Sequence, residues 1–176
     1  MQPSLLSRSS DEGCVSLIGM AGAGKTTLAS LLARRLGWAS LDTDRLIEAT
    51  AGAPLADLFA RLGLEGFLRL EEDVVAGLQV KRCVVATGGS VVYGPRAVAR
   101  LKACGPVVHL RIDLPTFLAR LGDPGRRAFA ARPGLSLPDV YAERQPLYEA
   151  AADLTVTSCG VTPQACVDQI LQGITS

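Results

Sequence analysis

Short apolar runs alternate along the chain with longer stretches whose apolar residues recur every three to four positions. The short runs predict strands at Cys14–Ile18, Ala39–Asp42, Cys83–Thr87, Val107–Arg111 and Leu154–Thr157. Several are apolar throughout, as expected of parallel strands covered on both faces. The longer pattern predicts helices at Lys25–Leu36, Thr43–Thr50, Leu55–Leu62, Gly66–Leu78, Arg96–Cys104, Pro115–Leu121, Leu137–Ala151 and Pro163–Leu171. Regular alternation of the two predicts a three-layer α/β domain around a parallel sheet. Ligands of such sheets bind beyond the carboxyl ends of the strands, so the polar residues just after each strand carry the chemistry.

The first strand runs into Gly19-Met20-Ala21-Gly22-Ala23-Gly24-Lys25-Thr26, which fills every fixed position of G-x-x-x-x-G-K-[ST]. Leu28, Leu31, Leu32 and Leu36 follow at helical spacing, giving the strand, loop and helix that the mechanism requires. Gly22, Ala23, Gly24, Lys25, Thr26 and Thr27 are therefore the nucleotide-binding candidates. Backbone N–H groups cradle the phosphates, Lys25 neutralises them, and the Thr26 hydroxyl suits a magnesium ion. A plain glycine turn would leave the Lys25-Thr26 pair unexplained.

The second strand ends in Asp42-Thr43-Asp44 and the third in Thr87-Gly88-Gly89-Ser90. One carboxylate beside a phosphate loop can hold a metal's water shell while the other faces an acceptor hydroxyl. Either aspartate can also cap a helix. Two glycines after a strand allow a ligand close to the backbone, or simply a turn. Between Leu121 and Leu137, about 122–136, a Gly-, Pro- and Arg-rich stretch containing Arg126, Arg127 and Arg132 has the composition of a mobile lid.

Composition narrows the function. The 176 residues fit one domain, with residues 1–12 as a flexible polar tail. A net charge of +1 and 5% aromatic residues argue against a nucleic-acid partner. No apolar run reaches membrane-spanning length, and five scattered cysteines without a C-x-x-C pair fit reduced thiols in the cytoplasm. His109, the only histidine, and Trp38, at the start of the second strand, read as packing residues.

From Cys14 to Leu171 the chain resembles the shikimate kinase family. The likeness rests on the phosphate loop, Leu36-Gly37, Asp42-Thr43-Asp44, Ile47-Glu48, Phe67 with Glu71, Gly88-Gly89 and Arg144-Gln145-Pro146-Leu147-Tyr148. It implies a nucleoside-monophosphate-kinase-like P-loop fold over residues 13–176 with a five-stranded parallel sheet and a lid. It also implies ATP, Mg²⁺ and a small-molecule hydroxyl acceptor, with the chain acting as a monomer. Position by position, Lys25 would hold the phosphates, Thr26 the metal, Asp42 metal-bound water, and Asp44 the acceptor hydroxyl. Gly88 and Gly89 would face the acceptor, Arg144 would bind its carboxylate, Arg120 would lie against adenine, and Arg127 would be the lid cation. Lys25, Asp44 and Arg127 are thus the catalytic candidates.

Three positions depart from the family: Leu68 stands where an arginine follows the phenylalanine, Ser90 replaces a third glycine, and Leu64 replaces a glutamate. Arg69 lies one residue on, about 100° around a helix. Losing one charge-assisted hydrogen bond costs a carboxylate ligand about ten- to a hundred-fold in affinity. Glu71 meanwhile loses a neighbouring cation. An acceptor bringing its own ammonium would compensate at the substrate-binding positions Asp44, Leu68, Glu71, Gly88, Gly89 and Arg144. The expectation is therefore an ATP-dependent kinase for a hydroxy amino acid such as homoserine, in threonine biosynthesis. The alternatives are shikimate as acceptor and, from another class, a non-catalytic nucleotide-binding regulatory module.

Overall fold

The computed structural model describes residues 13–121, 130–132 and 134–175. Strands β1 (Cys14–Ile18), β2 (Ala39–Asp42), β3 (Cys83–Ala86), β4 (Val107–Arg111) and β5 (Leu154–Thr157) form one sheet in the order β2-β3-β1-β4-β5. Every neighbouring pair is parallel, with Cys14 opposite Cys83, Ile18 opposite His109, Asp42 opposite Ala86 and Arg111 opposite Thr157. Helices α1 (Lys25–Leu36), α2 (Thr43–Ala51), α3 (Leu55–Ala76), α4 (Pro95–Cys104), α5 (Leu114–Leu121), α6 (Leu137–Ala151) and α7 (Pro163–Thr175) connect and cover it. A 3-10 turn spans Val91–Tyr93.

The central strands β1 and β3 are buried along their whole length, which is why their sequences are apolar without alternation. The edge strand β2 leaves Ala39 and Ser40 exposed. From the centre, the chain leaves β1 toward β2 on one side and leaves β3 toward β4 on the other. Connections that diverge in this way open a crevice at the carboxyl ends of β1 and β3. The main core lies between the sheet and its helices. A second, smaller apolar cluster of Ile47, Leu58, Phe67 and Ala130 sits where α2 meets α3.

Some element boundaries differ from the expected ones. The two helices expected at Leu55–Leu62 and Gly66–Leu78 run end to end as α3, interrupted only at Gly63, with φ 65° and ψ −177°. The apolar stripe breaks there, so the pattern read as two elements. Thr87 lies beyond β3 because it has turned inward: its N–H and hydroxyl both donate to the Leu17 carbonyl. Trp38 precedes β2 rather than opening it, and packs half-buried on the core. Among the described residues, no helix is long and apolar enough to cross a membrane. All five cysteines are free. The tail at residues 1–12, and Arg126 and Arg127 of the expected lid, lie outside the described residues.

Candidate active site

The phosphate loop leaves β1 at Gly19 and enters α1 at Lys25. Gly24, with φ 88°, makes the entry in a backbone conformation that an L side chain rarely adopts. The loop is braced from two directions. The Ser158 hydroxyl, just past β5, donates to the Ala23 carbonyl at 3.0 Å. From α5, the Arg120 guanidinium donates to the Gly22 carbonyl at 3.1 Å. Arg120 thus stands at the loop's mouth.

Lys25 folds back along the loop, its ammonium donating to the carbonyls of Gly19 (2.7 Å) and Met20 (2.8 Å). Burial lowers its pKa to about 8, against the opposing pull of the Asp44 carboxylate. The Thr26 hydroxyl donates to Asp42 Oδ2 at 2.7 Å. Asp42 Oδ1 accepts from the backbone N–H of Asp44 and Arg45, capping α2. One carboxylate thus caps α2 and holds the Thr26 hydroxyl at the start of α1. Ala21, Gly22, Gly24, Lys25, Thr26, Thr27, Asp42, Asp44, Thr87 and Gly89 line a cleft of about 310 Å³ with polar walls.

A smaller pocket of about 40 Å³ adjoins it, lined by Asp44, Leu55, Phe67, Glu71, Gly88, Gly89, Ser90, Ala130 and Arg144. Asp44 and Gly89 belong to both spaces and mark their junction. Gly88 lies against both carboxyls: a Cβ there would meet Glu71 Oε1 and Asp44 Oδ1 and force those side chains to move. Its N–H donates to the Thr43 hydroxyl at 3.2 Å. Arg144, only 1% exposed, donates to the Tyr93 hydroxyl at 3.2 Å and to the Ala130 carbonyl, with its guanidinium over the Tyr93 ring.

Glu71 is 2% exposed, and its Oε2 accepts from the Ser90 hydroxyl at 2.5 Å. Its Oε1 has no partner among the described residues. Burial raises its pKa to about 7; the Ser90 bond pulls the other way, and the Asp44 charge pushes it further up. Asp44 is shifted upward too, first by burial and then by Asp42.

The structure thus gathers Gly22, Gly24, Lys25, Thr26, Thr27, Asp42, Asp44, Glu71, Gly88, Gly89 and Arg144 along one crevice, whereas Ala23 is buried behind the loop and Arg120 braces it through the Gly22 carbonyl without lining the cleft. Leu68 lies beside it, half-buried against the second cluster, and does not line the acceptor pocket. Arg69 is exposed. Arg132 lies 4.0 Å from Glu143, with its side chain 71% exposed. Sequence reasoning missed Thr43, Ser90 as the partner of Glu71, Tyr93, Tyr148 and Ser158. Thr43 and Tyr148 stood inside recognised motifs and Ser90 closed the Thr87-Gly88-Gly89-Ser90 segment, but none of them showed its structural role in the sequence. All five act through contacts with residues far away in the chain, for which one sequence carries no signal.

Three comparisons agree on the family. The family model described as shikimate kinase matches residues 21–175. The shikimate kinase of Moorella thermoacetica is 37% identical over 164 residues, 92% of this chain and 94% of that protein. That of Thermobifida fusca is 39% identical over 156 residues, 88% and 90% of the two chains. Among solved structures, shikimate kinase from Acinetobacter baumannii in complex with shikimate superposes with a TM-score of 0.79 at 30% identity, covering 91% of each chain. The Aquifex aeolicus shikimate kinase has a TM-score of 0.78 at 28% identity, covering 92% of this chain and 95% of that one.

These relatives do not support the homoserine reading or its place in threonine biosynthesis, and they favour the alternative. The structure supplies a physical reason for the correction. The charge argument assumed that Glu71, without a neighbouring arginine, needs a cation from the ligand. Instead Ser90, the replacement for the third glycine, donates to one oxygen, and burial draws the carboxyl toward its neutral form. With a phosphate loop, a small adjoining pocket and near full-length likeness in hand, the chain belongs to the shikimate kinase family, ATP-dependent phosphotransferases that act on a hydroxyl.

Proposed function

We propose that the chain transfers the γ-phosphoryl group of ATP to a hydroxyl of shikimate. The observation that carries this reading is the junction at Asp44 and Gly89, where a polar phosphate cleft meets a small pocket walled by a buried arginine. The relatives' activity, and the shikimate in the Acinetobacter structure, support the choice of acceptor. In this reading Lys25 exchanges its loop carbonyls for the β- and γ-phosphates. Arg144 holds the acceptor carboxylate, and Asp44 aligns the hydroxyl. A bond forms between the hydroxyl oxygen and the γ-phosphorus as the bond to the ADP oxygen breaks. The hydroxyl proton passes to the Asp44 carboxylate, whose raised pKa suits it to receive one.

Thr26 and Asp42 fit Mg²⁺. Both are hard oxygen donors, and the hydroxyl stands 2.7 Å from the carboxylate oxygen in the same cleft. When bound, Mg²⁺ would neutralise charge on the transferring phosphoryl group. Arg120 lies against the adenine, and an arginine of 122–136, Arg127 before Arg126 or Arg132, supplies the lid's cation.

A second reading is favoured by one observation: Leu68 in place of a cation, together with the unpartnered Oε1 of Glu71. It takes an acceptor with both carboxylate and ammonium, such as homoserine. The test is ADP formation with shikimate, homoserine and simpler hydroxy acids side by side. Shikimate-dependent turnover is expected. Turnover with homoserine alone would replace the first reading by the second. No acceptor-dependent turnover at all would point to a regulatory nucleotide-binding module.

A further inference from the structure

Gly89 and Ser90, in the turn after β3, line the smaller pocket and carry two successive peptide N–H groups. No described residue accepts a hydrogen bond from either. Adjacent free N–H groups of this kind form an anion-binding concavity, provided that their direction is fixed. A loop peptide without partners is free to rotate. Here one group holds the Gly89–Ser90 peptide: the Tyr148 hydroxyl donates to the Gly89 carbonyl at 2.5 Å. The peptide is trans, so its C=O and the following N–H point in opposite directions. Tyr148 lies outside the acceptor pocket's lining, whereas Ser90 and Arg144 are part of it. Clamping the carbonyl on the Tyr148 side therefore sends the Ser90 N–H to the pocket side.

Tyr148 is well built for a clamp. It is 0% exposed, and its ring stacks on His109 with centroids 5.0 Å apart and planes at 25°. Its hydroxyl also lies 3.6 Å from Met20 Sδ of the phosphate loop. It stands one helical turn after Arg144 on α6, so one helix face delivers both the guanidinium and the clamp. Burial pushes the phenol far above its usual range, so it remains a donor at working pH. His109 contributes its ring face only, because both ring nitrogens lack partners among the described residues.

We propose that Tyr148 is a positioning residue for phosphoryl transfer: by clamping the Gly89 carbonyl it aims the Ser90 N–H, beside Arg144, at the acceptor's carboxylate. This rests on the acceptor occupying the pocket as proposed above, and holds for either acceptor considered there. An oriented backbone donor contributes by costing nothing to reorganise when the substrate arrives.

Tyr148→Phe tests it, because the ring and its stack on His109 remain and only the hydroxyl goes. The acceptor KM should rise about tenfold, the worth of one well-aimed hydrogen bond to a charged group, while the KM for ATP stays near wild type. Ser90→Pro, at a φ of −94°, deletes the N–H itself. It should raise the acceptor KM similarly relative to Ser90→Ala, which keeps the N–H. His109→Phe retains the stack and should leave both KM values unchanged. The inference is overturned if Tyr148→Phe leaves the acceptor KM unchanged or raises both KM values together with a fall in Tm. It is also overturned if His109→Phe reproduces the effect. Wild-type protein inert toward every acceptor would overturn the proposed function, and this inference with it; active wild type with an indifferent Tyr148→Phe overturns this inference alone.

Discussion

The phosphate end of the cleft draws nearly all its groups from one short stretch, Gly19 to Thr27, with Asp42 added from the end of β2. The acceptor end draws Asp44 from α2, Glu71 from α3, Gly88 to Ser90 from the turn after β3, and Arg144 from α6. The first is mostly backbone wrapped around a place for an anion. The second is a set of side chains from distant segments, two carboxyls whose pKa values are raised first by burial and a guanidinium held by Tyr93 and Ala130. Polyphosphate recognition needs only a loop shape and one cation, so a contiguous motif suffices. Recognition of a particular small acid needs groups placed on several sides, so the pocket has to be assembled from distant segments. Substitutions are therefore tolerated there one at a time when a neighbour compensates, as Ser90 does for Glu71.

Three measurements can break or sharpen this contrast. The largest effect is expected at the contiguous end. Lys25→Met removes the only cation inside the phosphate cleft's described lining. It should lower kcat by about 10³-fold or more, with the Tm little changed. Full activity in that variant would remove Lys25 from the mechanism.

An intermediate effect is expected from Leu68→Arg, which returns a cation to the edge of the acceptor end. The KM for shikimate should fall by about ten- to a hundred-fold, and any use of an ammonium-bearing acceptor should weaken. An unchanged KM for shikimate would mean that Leu68 stands too far from the pocket to matter, as its absence from the lining already suggests for the wild-type side chain.

A further effect, on stability rather than on turnover, comes from Glu71. Its carboxyl is shifted from an ordinary 4.5 to about 7 in the folded protein, so the folded state holds that proton more tightly than the unfolded state does. The resulting stability is present in full below 4.5 and is lost as the pH rises through about 7. Glu71→Gln still accepts from Ser90 but does not titrate. It should remove a pH-dependent loss on the order of 3 kcal/mol from the urea-unfolding free energy between pH 5 and 8. Identical pH slopes for the two proteins would show that Glu71 ionises normally.

The chain's periodicity by itself determined the elements of the sheet and their parallel sense. All five strands stand where the apolar runs lie, and the phosphate loop announced its chemistry because its residues are consecutive. The loop's bond pattern depends on local backbone shape, and local shape is written in neighbouring residues. Asp42 was legible for the same reason, being the residue at which a strand turns directly into a helix. The acceptor pocket was legible only where a family motif named Glu71 and Arg144 in advance. That Ser90 partners Glu71, that Gly88 lies against two carboxyls, and that Tyr148 holds the Gly89 carbonyl were decided by tertiary structure alone. These contacts join residues 17 to 59 positions apart. Their energies depend on burial, which no single segment controls: the same carboxyl would be an ordinary anion on the surface, and here burial raises its pKa to about 7.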